Sequence, residues 1–226
     1  GRVVAVEALA RWPGHEDVGP TEFIPLAEEI GLIGRLDAIV RAKAVRWAAG
    51  ITGPGAPDIS LNLSPAHLAD PDLARSIKGL IDESGIDPSR ISLEITESAF
   101  VAEEDATLAA LEALRALGVK LVIDDFGTGY SSFAYLTRLP LDGLKIDRAF
   151  IADAESPDQL TVLSSIIGLC GELGLTVTAE GVESEDQRAR LSQMGCDRIQ
   201  GFLIAHPASE GELDLGDRTP VAASGV

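Results

Sequence analysis

Residues 104–125 have the sequence Glu-Asp-Ala-Thr-Leu-Ala-Ala-Leu-Glu-Ala-Leu-Arg-Ala-Leu-Gly-Val-Lys-Leu-Val-Ile-Asp-Asp. The first part repeats apolar residues at helical spacing and predicts a helix over Glu104–Leu117, which Gly118 closes. The apolar run Val119–Asp124 follows directly and predicts a short strand that is buried on both faces. A helix that leads into such a strand is typical of a parallel α/β fold.

The same alternation extends over the rest of the chain. The other predicted strands are Val3–Ala8, Ile59–Leu63, Ile91–Thr96, Leu144–Asp147, Leu175–Glu180 and Arg198–Gly201. The other predicted helices are Thr21–Ile30 (with Thr21 as N-cap), Gly34–Ala49, Asp72–Ser84, Asp158–Leu173 and Glu185–Met194. This order fits an open doubly wound sheet or a closed barrel. A TIM-type (β/α)8 barrel needs eight strands, so a barrel would lack its first strand, which would precede Gly1.

Length and composition limit the functions to consider. The 226 residues fit one large domain, predicted over residues 1–207, followed by a polar and partly disordered tail over 208–226. The net charge of −18 disfavours binding to polymeric nucleic acid. There is no secretory signal and no apolar run long enough to span a membrane, so we expect a cytoplasmic domain without membrane contact. The start at Gly1 suggests a piece of a longer protein, which could itself be anchored in a membrane.

Cysteines and histidines offer little chemistry. Cys170 and Cys196 are too few and too far apart for a disulfide framework or a zinc site, and we expect reduced thiols. His15, His67 and His206 have no metal-ligand spacing, and we expect all three in loops or on the surface.

Polar side chains occupy the ends of the predicted strands. They are Glu7, Asn62, Glu94, Asp124, Asp125, Lys145, Glu180 and Gln200. In a parallel barrel the carboxyl ends of all strands point to one face, so these side chains would converge there. Any single one of the five carboxylates could be a satisfied structural group. Together they would repel one another strongly, and one or two divalent cations would resolve this repulsion. Oxygen ligands suit Mg²⁺ or Mn²⁺ better than Zn²⁺.

The segment after Asp125 contains two glycines, Gly127 and Gly129. Because it follows paired aspartates at a strand end, it predicts a mobile active-site loop with glycine hinges. It lacks the third glycine of a dinucleotide-binding fingerprint, and Ser131-Ser132 lacks the elbow of a serine hydrolase.

These motifs, in this order, resemble those of the EAL-domain cyclic di-GMP phosphodiesterases. The matching segments are Glu7-Ala-Leu9 with Arg11-Trp12, Phe23–Glu29, Leu61–Ser64, Glu94–Ser98, Asp124–Ser132, Leu144–Arg148, Ala179–Glu183 and Gln200–Phe202. The resemblance runs from Val6 to about Pro207. It implies a TIM-type barrel of the EAL kind, although the family's first strand, with its aromatic-Gln-Pro element, is missing before Gly1.

The resemblance also implies roles for individual residues. Glu7, Asn62, Glu94 and Asp124 would bind one metal ion, and Asp124 and Asp125 the second. Glu180 would support the metals and their water, and Lys145 would lie beside the attacking water. Glu97 would anchor the loop after Asp125. Leu9, Arg11, Asp147 and Gln200 would contact the substrate, with Arg11 at a phosphate.

The implied reaction is hydrolysis of cyclic di-GMP to linear pGpG. Two Mg²⁺ or Mn²⁺ ions would activate a water that attacks phosphorus in line, and Lys145, Glu180 or Asp124 would take its proton. The resemblance further implies a homodimer and fusion to a GGDEF or sensory domain. Two alternatives stay open: a catalytically silent cyclic di-GMP receptor, and a Mg²⁺-dependent barrel with a lysine base that acts on carboxylate substrates, as in enolase-like enzymes.

Overall fold

The computed structural model describes residues 2–15, 17–100, 104–127, 136–152, 156–213 and 215. Over these residues the chain forms seven strands and eight α-helices. The chain divides into two compact units, one made of Gly1–Glu94, Glu103–Val119 and Ala208–Val226, and the other of Ile95–Ala102 and Lys120–Pro207. Most of the predicted tail, residues 214 and 216–226, lies outside the described residues.

The first unit contains three neighbouring parallel strands. Its elements are β1 (Ala5–Ala8), α1 (Pro20–Glu29), α2 (Ile33–Gly50), β2 (Asp58–Asn62), α3 (Pro65–Leu68), α4 (Leu73–Ser84), β3 (Ile91–Thr96, of which the last two residues belong to the second unit) and α5 (Glu104–Arg115). The strands are adjacent in chain order, and the register places Glu7 beside Ser60 and Asn62 beside Glu94. Three strand-end polar residues therefore lie at one end of this sheet.

The second unit contains four neighbouring parallel strands. Its elements are β4 (Lys120–Phe126), β5 (Gly143–Ile146), α6 (Arg148–Ala152), α7 (Pro157–Glu172), β6 (Thr176–Ala179), α8 (Glu185–Gln193) and β7 (Arg198–Ile199). These strands also follow chain order. Asp142 accepts a hydrogen bond from the amide of Leu121 at 3.0 Å, and Asp197 accepts one from Val177 at 2.8 Å. These aspartates satisfy backbone donors where β4 and β6 begin.

Burial on both faces is confirmed for β3 and β5, whereas β4 and β6 also contain half-buried residues. All four residues of β5 and the first five of β3 are buried, rather than every second residue. Consecutive burial means that both faces of the strand are covered, as in parallel sheets. A charged side chain in such a strand, Lys145 or Glu94, is thus held among apolar neighbours and needs a polar partner.

The predicted elements are all present, with differences at their ends. The prediction of Thr21 as a helix N-cap is wrong, because α1 begins at Pro20 and Gly19 is the N-cap. Proline suits the first helical position, since its fixed φ is already helical and its missing N–H has no partner there. Helices α3 and α6 were not predicted, because four and five residues are too few to show a helical period.

The remaining expectations concern the cysteines and the membrane. Cys170 and Cys196 are both free thiols, as predicted. Burial raises the pKa of Cys170 from 9.0 to about 11 and also raises the pKa of Cys196. Among the described residues, no helix is both long enough and apolar enough to cross a membrane.

Candidate active site

The second unit brings a lysine and two carboxylates together at the ends of its strands. The ammonium of Lys145 lies 2.6 Å from Oε1 of Glu180 and 3.3 Å from Oδ1 of Asp124. The Lys145 side chain is only 3% exposed, against 11% for Asp124 and 17% for Glu180. Because a buried ammonium is costly unless it is paired, these two carboxylates account for the lysine inside an apolar strand.

Strand β4 has an irregularity where its two aspartates lie. Ile123 pairs with Leu144 and Phe126 pairs with Ile146, so Asp124 and Asp125 together stand opposite the single residue Lys145. Two residues opposite one define a β-bulge. In a regular strand neighbouring side chains point to opposite faces. The bulge changes this, and it allows both carboxylates to belong to one cluster.

The backbone of Asp125 is left-handed. Its φ is +53°, and it is the one described non-glycine residue with a positive φ. This conformation costs most residues about 1 kcal/mol, although aspartate tolerates it better than others. A strained residue inside a bulge is a feature of functional sites, where surrounding contacts hold it in place.

Three carboxylates of the second unit lie close enough to share a cation. Asp124, Asp125 and Glu180 each offer an oxygen, and these oxygens lie within 4.8 Å of one another. At that distance two carboxylates repel each other by on the order of 3 kcal/mol at an effective dielectric of about 20. Lys145 supplies one positive charge against three negative ones, so two negative charges remain. Hard divalent cations prefer such oxygen donors, and the cluster fits their chemistry.

The other predicted site residues of the second unit lie near these strand ends in sequence. Glu97 accepts a hydrogen bond from the amide of Gly127 at 3.3 Å. Asp147 accepts one from the amide of Ala149 at 2.8 Å and so begins α6. Gln200 follows β7, and its backbone N–H donates a hydrogen bond to the carbonyl of Ala179 at 2.8 Å. The predicted mobile loop falls largely on residues 128–135, which lie outside the described residues.

The first unit carries its own group of strand-end residues. The Asn62 amide donates a hydrogen bond to Oε1 of Glu7 at 2.9 Å. Glu94 stands beside Asn62 in the register and is 3% exposed. Leu9 and Arg11 are exposed, and Arg11 donates to the carbonyl of Ala10 at 2.8 Å. Asn62 thus contacts Glu7 and lies beside Glu94 at this end of the sheet.

An apolar cleft of about 830 Å³ lies in the first unit beside β1. Leu9 and Arg11 line it, and so do exposed apolar side chains of the neighbouring helices. The exposed apolar residues along the cleft are Leu9, Trp12, Leu26, Ile30, Leu32 and Ile39. The sequence does not indicate this cleft, because local patterns show which residues are apolar but not which of them stay uncovered.

The prediction that all three histidines lie in loops or on the surface is wrong for His67. Its ring is buried in α3, and both ring nitrogens lie 3.2–3.3 Å from Nη2 of Arg41. Asp37 lies 3.9 Å from the same guanidinium and accepts a hydrogen bond from the Ser64 hydroxyl at 2.9 Å. Burial lowers the pKa of Arg41, and Asp37 partly opposes this effect. The contacts that His67 and Ser64 make with Arg41 and Asp37 join residues 26–30 positions apart, so no local spacing in the sequence indicates them.

The profile of the EAL domain matches residues 1–207 of the chain. The chain belongs to the EAL domain family. The bifunctional diguanylate cyclase/cyclic di-GMP phosphodiesterase MucR of Pseudomonas aeruginosa is 42% identical over 220 residues, which are 94% of this chain and 32% of that protein. The cyclic di-GMP phosphodiesterase NbdA of the same organism is 40% identical over 219 residues, 95% of this chain and 28% of NbdA. The chain thus spans about a third or less of these relatives.

Solved EAL structures resemble this EAL domain closely. The PaMucR phosphodiesterase in its c-di-GMP complex has a TM-score of 0.85 at 42% identity, over 92% of this chain and 86% of that one. The EAL domain of Mycobacterium smegmatis DcpA has a TM-score of 0.78 at 36% identity, over 92% and 87%. The predicted fold class, the EAL kind of TIM barrel, is thereby confirmed.

Proposed function

We propose that this EAL domain hydrolyses cyclic di-GMP to linear pGpG with the help of divalent cations. The observation that carries the proposal is the cluster of Asp124, Asp125 and Glu180 around the buried Lys145. Family membership supports the substrate, because relatives that match nearly the whole chain are named cyclic di-GMP phosphodiesterases. Loss or replacement of the proposed metal ligands or of Lys145 would favour a silent receptor. In this chain, each of these positions has a residue that suits its proposed role.

We propose Mg²⁺ or Mn²⁺ as the cofactor. Asp124, Asp125 and Glu180 would hold a cation, since their oxygens lie within 4.8 Å of one another and carry excess negative charge. A bound divalent cation would neutralise the scissile phosphate and make water a better nucleophile. Glu7, Asn62 and Glu94 are proposed as further ligands on the basis of the resemblance.

The chain's own residues have separate proposed tasks. Glu180 and Asp124 both contact the Lys145 ammonium, and we propose that one of these three residues takes the proton that water loses. Arg11 is exposed and suits a phosphate oxygen. Leu9, Asp147 and Gln200 are proposed to contact the rest of the dinucleotide, and Glu97 to anchor the loop through Gly127.

The test is a chromatographic assay of purified protein with cyclic di-GMP. We expect pGpG to form with Mn²⁺ or Mg²⁺ and not in EDTA, and we expect Asp124→Ala to abolish turnover. Asp82→Asn is the control, because Asp82 pairs with Lys78 on the exposed surface of α4 and should leave turnover unchanged. Retention of more than a few per cent of activity by Asp124→Ala would exclude its proposed role. Binding of cyclic di-GMP without cleavage would favour the receptor function instead.

We also propose that the domain lies in the cytoplasm and acts as a homodimer within a longer protein. The length of the matched relatives supports the longer protein. Light scattering of the purified domain and of its full-length parent would measure the oligomeric state, and a monomer in both would exclude the dimer.

A further inference from the structure

Gly127 follows the bulge and packs directly against the ring of Phe150 in α6. A Cβ built on Gly127 would overlap this ring, with Cζ 2.8 Å and Cδ2 2.9 Å away. The φ of Gly127 is +101°, a conformation that glycine adopts readily and other residues rarely do. The ring therefore occupies the space in which any other residue would place its side chain.

The position of Phe150 is itself well defined. Its amide donates to the carbonyl of Asp147 at 3.1 Å, and the Asp147 carboxylate accepts from Ala149 at 2.8 Å. These hydrogen bonds cap the start of α6, which follows β5 after one residue. Ile151 is 3% exposed and packs the same short helix into the core of the unit. Phe150 thus lies in the short helix that follows β5, the strand that contains Lys145.

We propose that Phe150 is a positioning residue for the bulge formed by Asp124 and Asp125. The ring covers Gly127, and Glu97 accepts the Gly127 amide, so two contacts fix the backbone two residues beyond Asp125. This restraint keeps Asp125 left-handed and both aspartates opposite Lys145. Without the ring, the bulge relaxes towards a regular strand, in which neighbouring side chains point to opposite faces and one carboxylate leaves the cluster.

The inference rests on the proposed function, and its test measures metal binding directly. Free Mn²⁺ is followed by electron paramagnetic resonance as it is titrated into the apo protein, so no turnover is needed. Loss of a residue that orients metal ligands weakens binding by about 10–100-fold, and we expect Phe150→Ala to fall in this range and Phe150→Leu at its lower end. At saturating Mn²⁺ the KM for cyclic di-GMP should remain close to that of the parent.

Ile151→Ala provides the matched control. It removes a buried side chain from the same helix, whereas the three heavy atoms nearest to a Cβ built on Gly127 all belong to the Phe150 ring. We expect it to lower the unfolding temperature and to change Mn²⁺ affinity by less than about twofold, since its effect is on packing alone. If Ile151→Ala weakens Mn²⁺ binding as much as Phe150→Ala does, the effect is a general loss of α6 and the inference is wrong.

A double variant tests the contact itself. Gly127→Ala should weaken Mn²⁺ binding strongly, because its methyl group meets the ring, and adding Phe150→Ala should restore part of the affinity. Absence of any restoration, or parent-like binding by both Phe150 variants, would overturn the inference. Asp124→Ala and Asp125→Ala in the same titration separate the two proposals. If these variants bind Mn²⁺ as tightly as the parent, the metal assignment fails. If they lose Mn²⁺ binding while both Phe150 variants bind like the parent, the positioning role alone fails.

Discussion

Replacing Lys145 with methionine removes the single positive charge from the cluster and keeps an unbranched apolar side chain of similar length. In the parent, the ammonium lies 2.6 Å from Glu180 and 3.3 Å from Asp124, and all three side chains are at most 17% exposed. In the variant, three carboxylates face one another within 4.8 Å with no cation from the chain among them.

The size of the effect follows from this geometry. Removing one partner of a buried ion pair costs about 3–5 kcal/mol, because the other charge is left uncompensated. For a domain of more than 200 residues each kcal/mol corresponds to a few degrees, so the unfolding temperature should fall by about 10 °C in EDTA. Saturating Mn²⁺ should stabilise the variant more than the parent, because the variant has one more uncompensated negative charge for the cation to neutralise. Turnover should fall by about 100-fold or more, as expected for loss of a charged group beside the reacting phosphate.

Thermal unfolding by circular dichroism, in EDTA and in Mn²⁺, measures these shifts. The matched control is Lys78→Met, which makes the same replacement in an exposed ion pair. In this pair, Nζ of Lys78 lies 2.5 Å from Oδ2 of Asp82. An exposed helix pair of this kind contributes only about 0.3–0.5 kcal/mol, so the control should barely move the transition. If Lys145→Met in EDTA unfolds at the same temperature as Lys78→Met, the electrostatic argument for the cluster is refuted.

Two further predictions concern backbone strain and a buried thiol. Asp125→Gly should leave the free energy of unfolding in EDTA unchanged or raise it by up to about 1 kcal/mol, because glycine adopts the observed φ of +53° without strain. The same variant should lose Mn²⁺ binding, which calorimetry measures. A clear loss of stability in EDTA would contradict this prediction. Since burial raises the pKa of Cys170 from 9.0 to about 11, the folded state keeps a proton that the unfolded state loses above pH 9. The stability that this proton contributes is constant below pH 9 and is lost towards pH 11, so the difference in urea unfolding free energy between the parent and Cys170→Ala should shrink by about 1 kcal/mol from pH 8 to pH 10. A difference that does not change with pH would show that the thiol is not protected.

The sequence predicts the fold and the presence of polar residues at the strand ends well, because both depend on local patterns. Strands buried on both faces appear as unbroken apolar runs, so a charged residue inside one, such as Lys145 or Glu94, stands out at once. Parallel strands also share one direction, so residues that end them meet at one edge. This is why Asn62 is found beside Glu94, and Lys145 beside Glu180, without any knowledge of side-chain geometry.

What the sequence could not predict depends on contacts between distant segments. His67 is buried because Arg41 and Asp37 of another helix complete its polar contacts, and nothing near His67 in the chain indicates those partners. The bulge is hidden for a similar reason. Strict alternation would send Asp124 and Asp125 to opposite faces, and only the pairing of β4 with β5 shows that one extra residue is accommodated there.

The bulge also explains why the strained backbone of the second unit coincides with its proposed metal site. A regular β4 would avoid both the left-handed backbone at Asp125 and the crowding of the aspartates beside Glu180. Local rules of good packing are broken here together, in a unit whose other strand pairs, β5 with β6 and β6 with β7, keep a regular register. Such a site can persist because neighbouring contacts restrain its backbone and because a bound cation would neutralise the excess negative charge of its carboxylates. If that argument holds, variants that relieve the strain or the charge should gain stability only in the absence of metal, and should lose the ability to bind it.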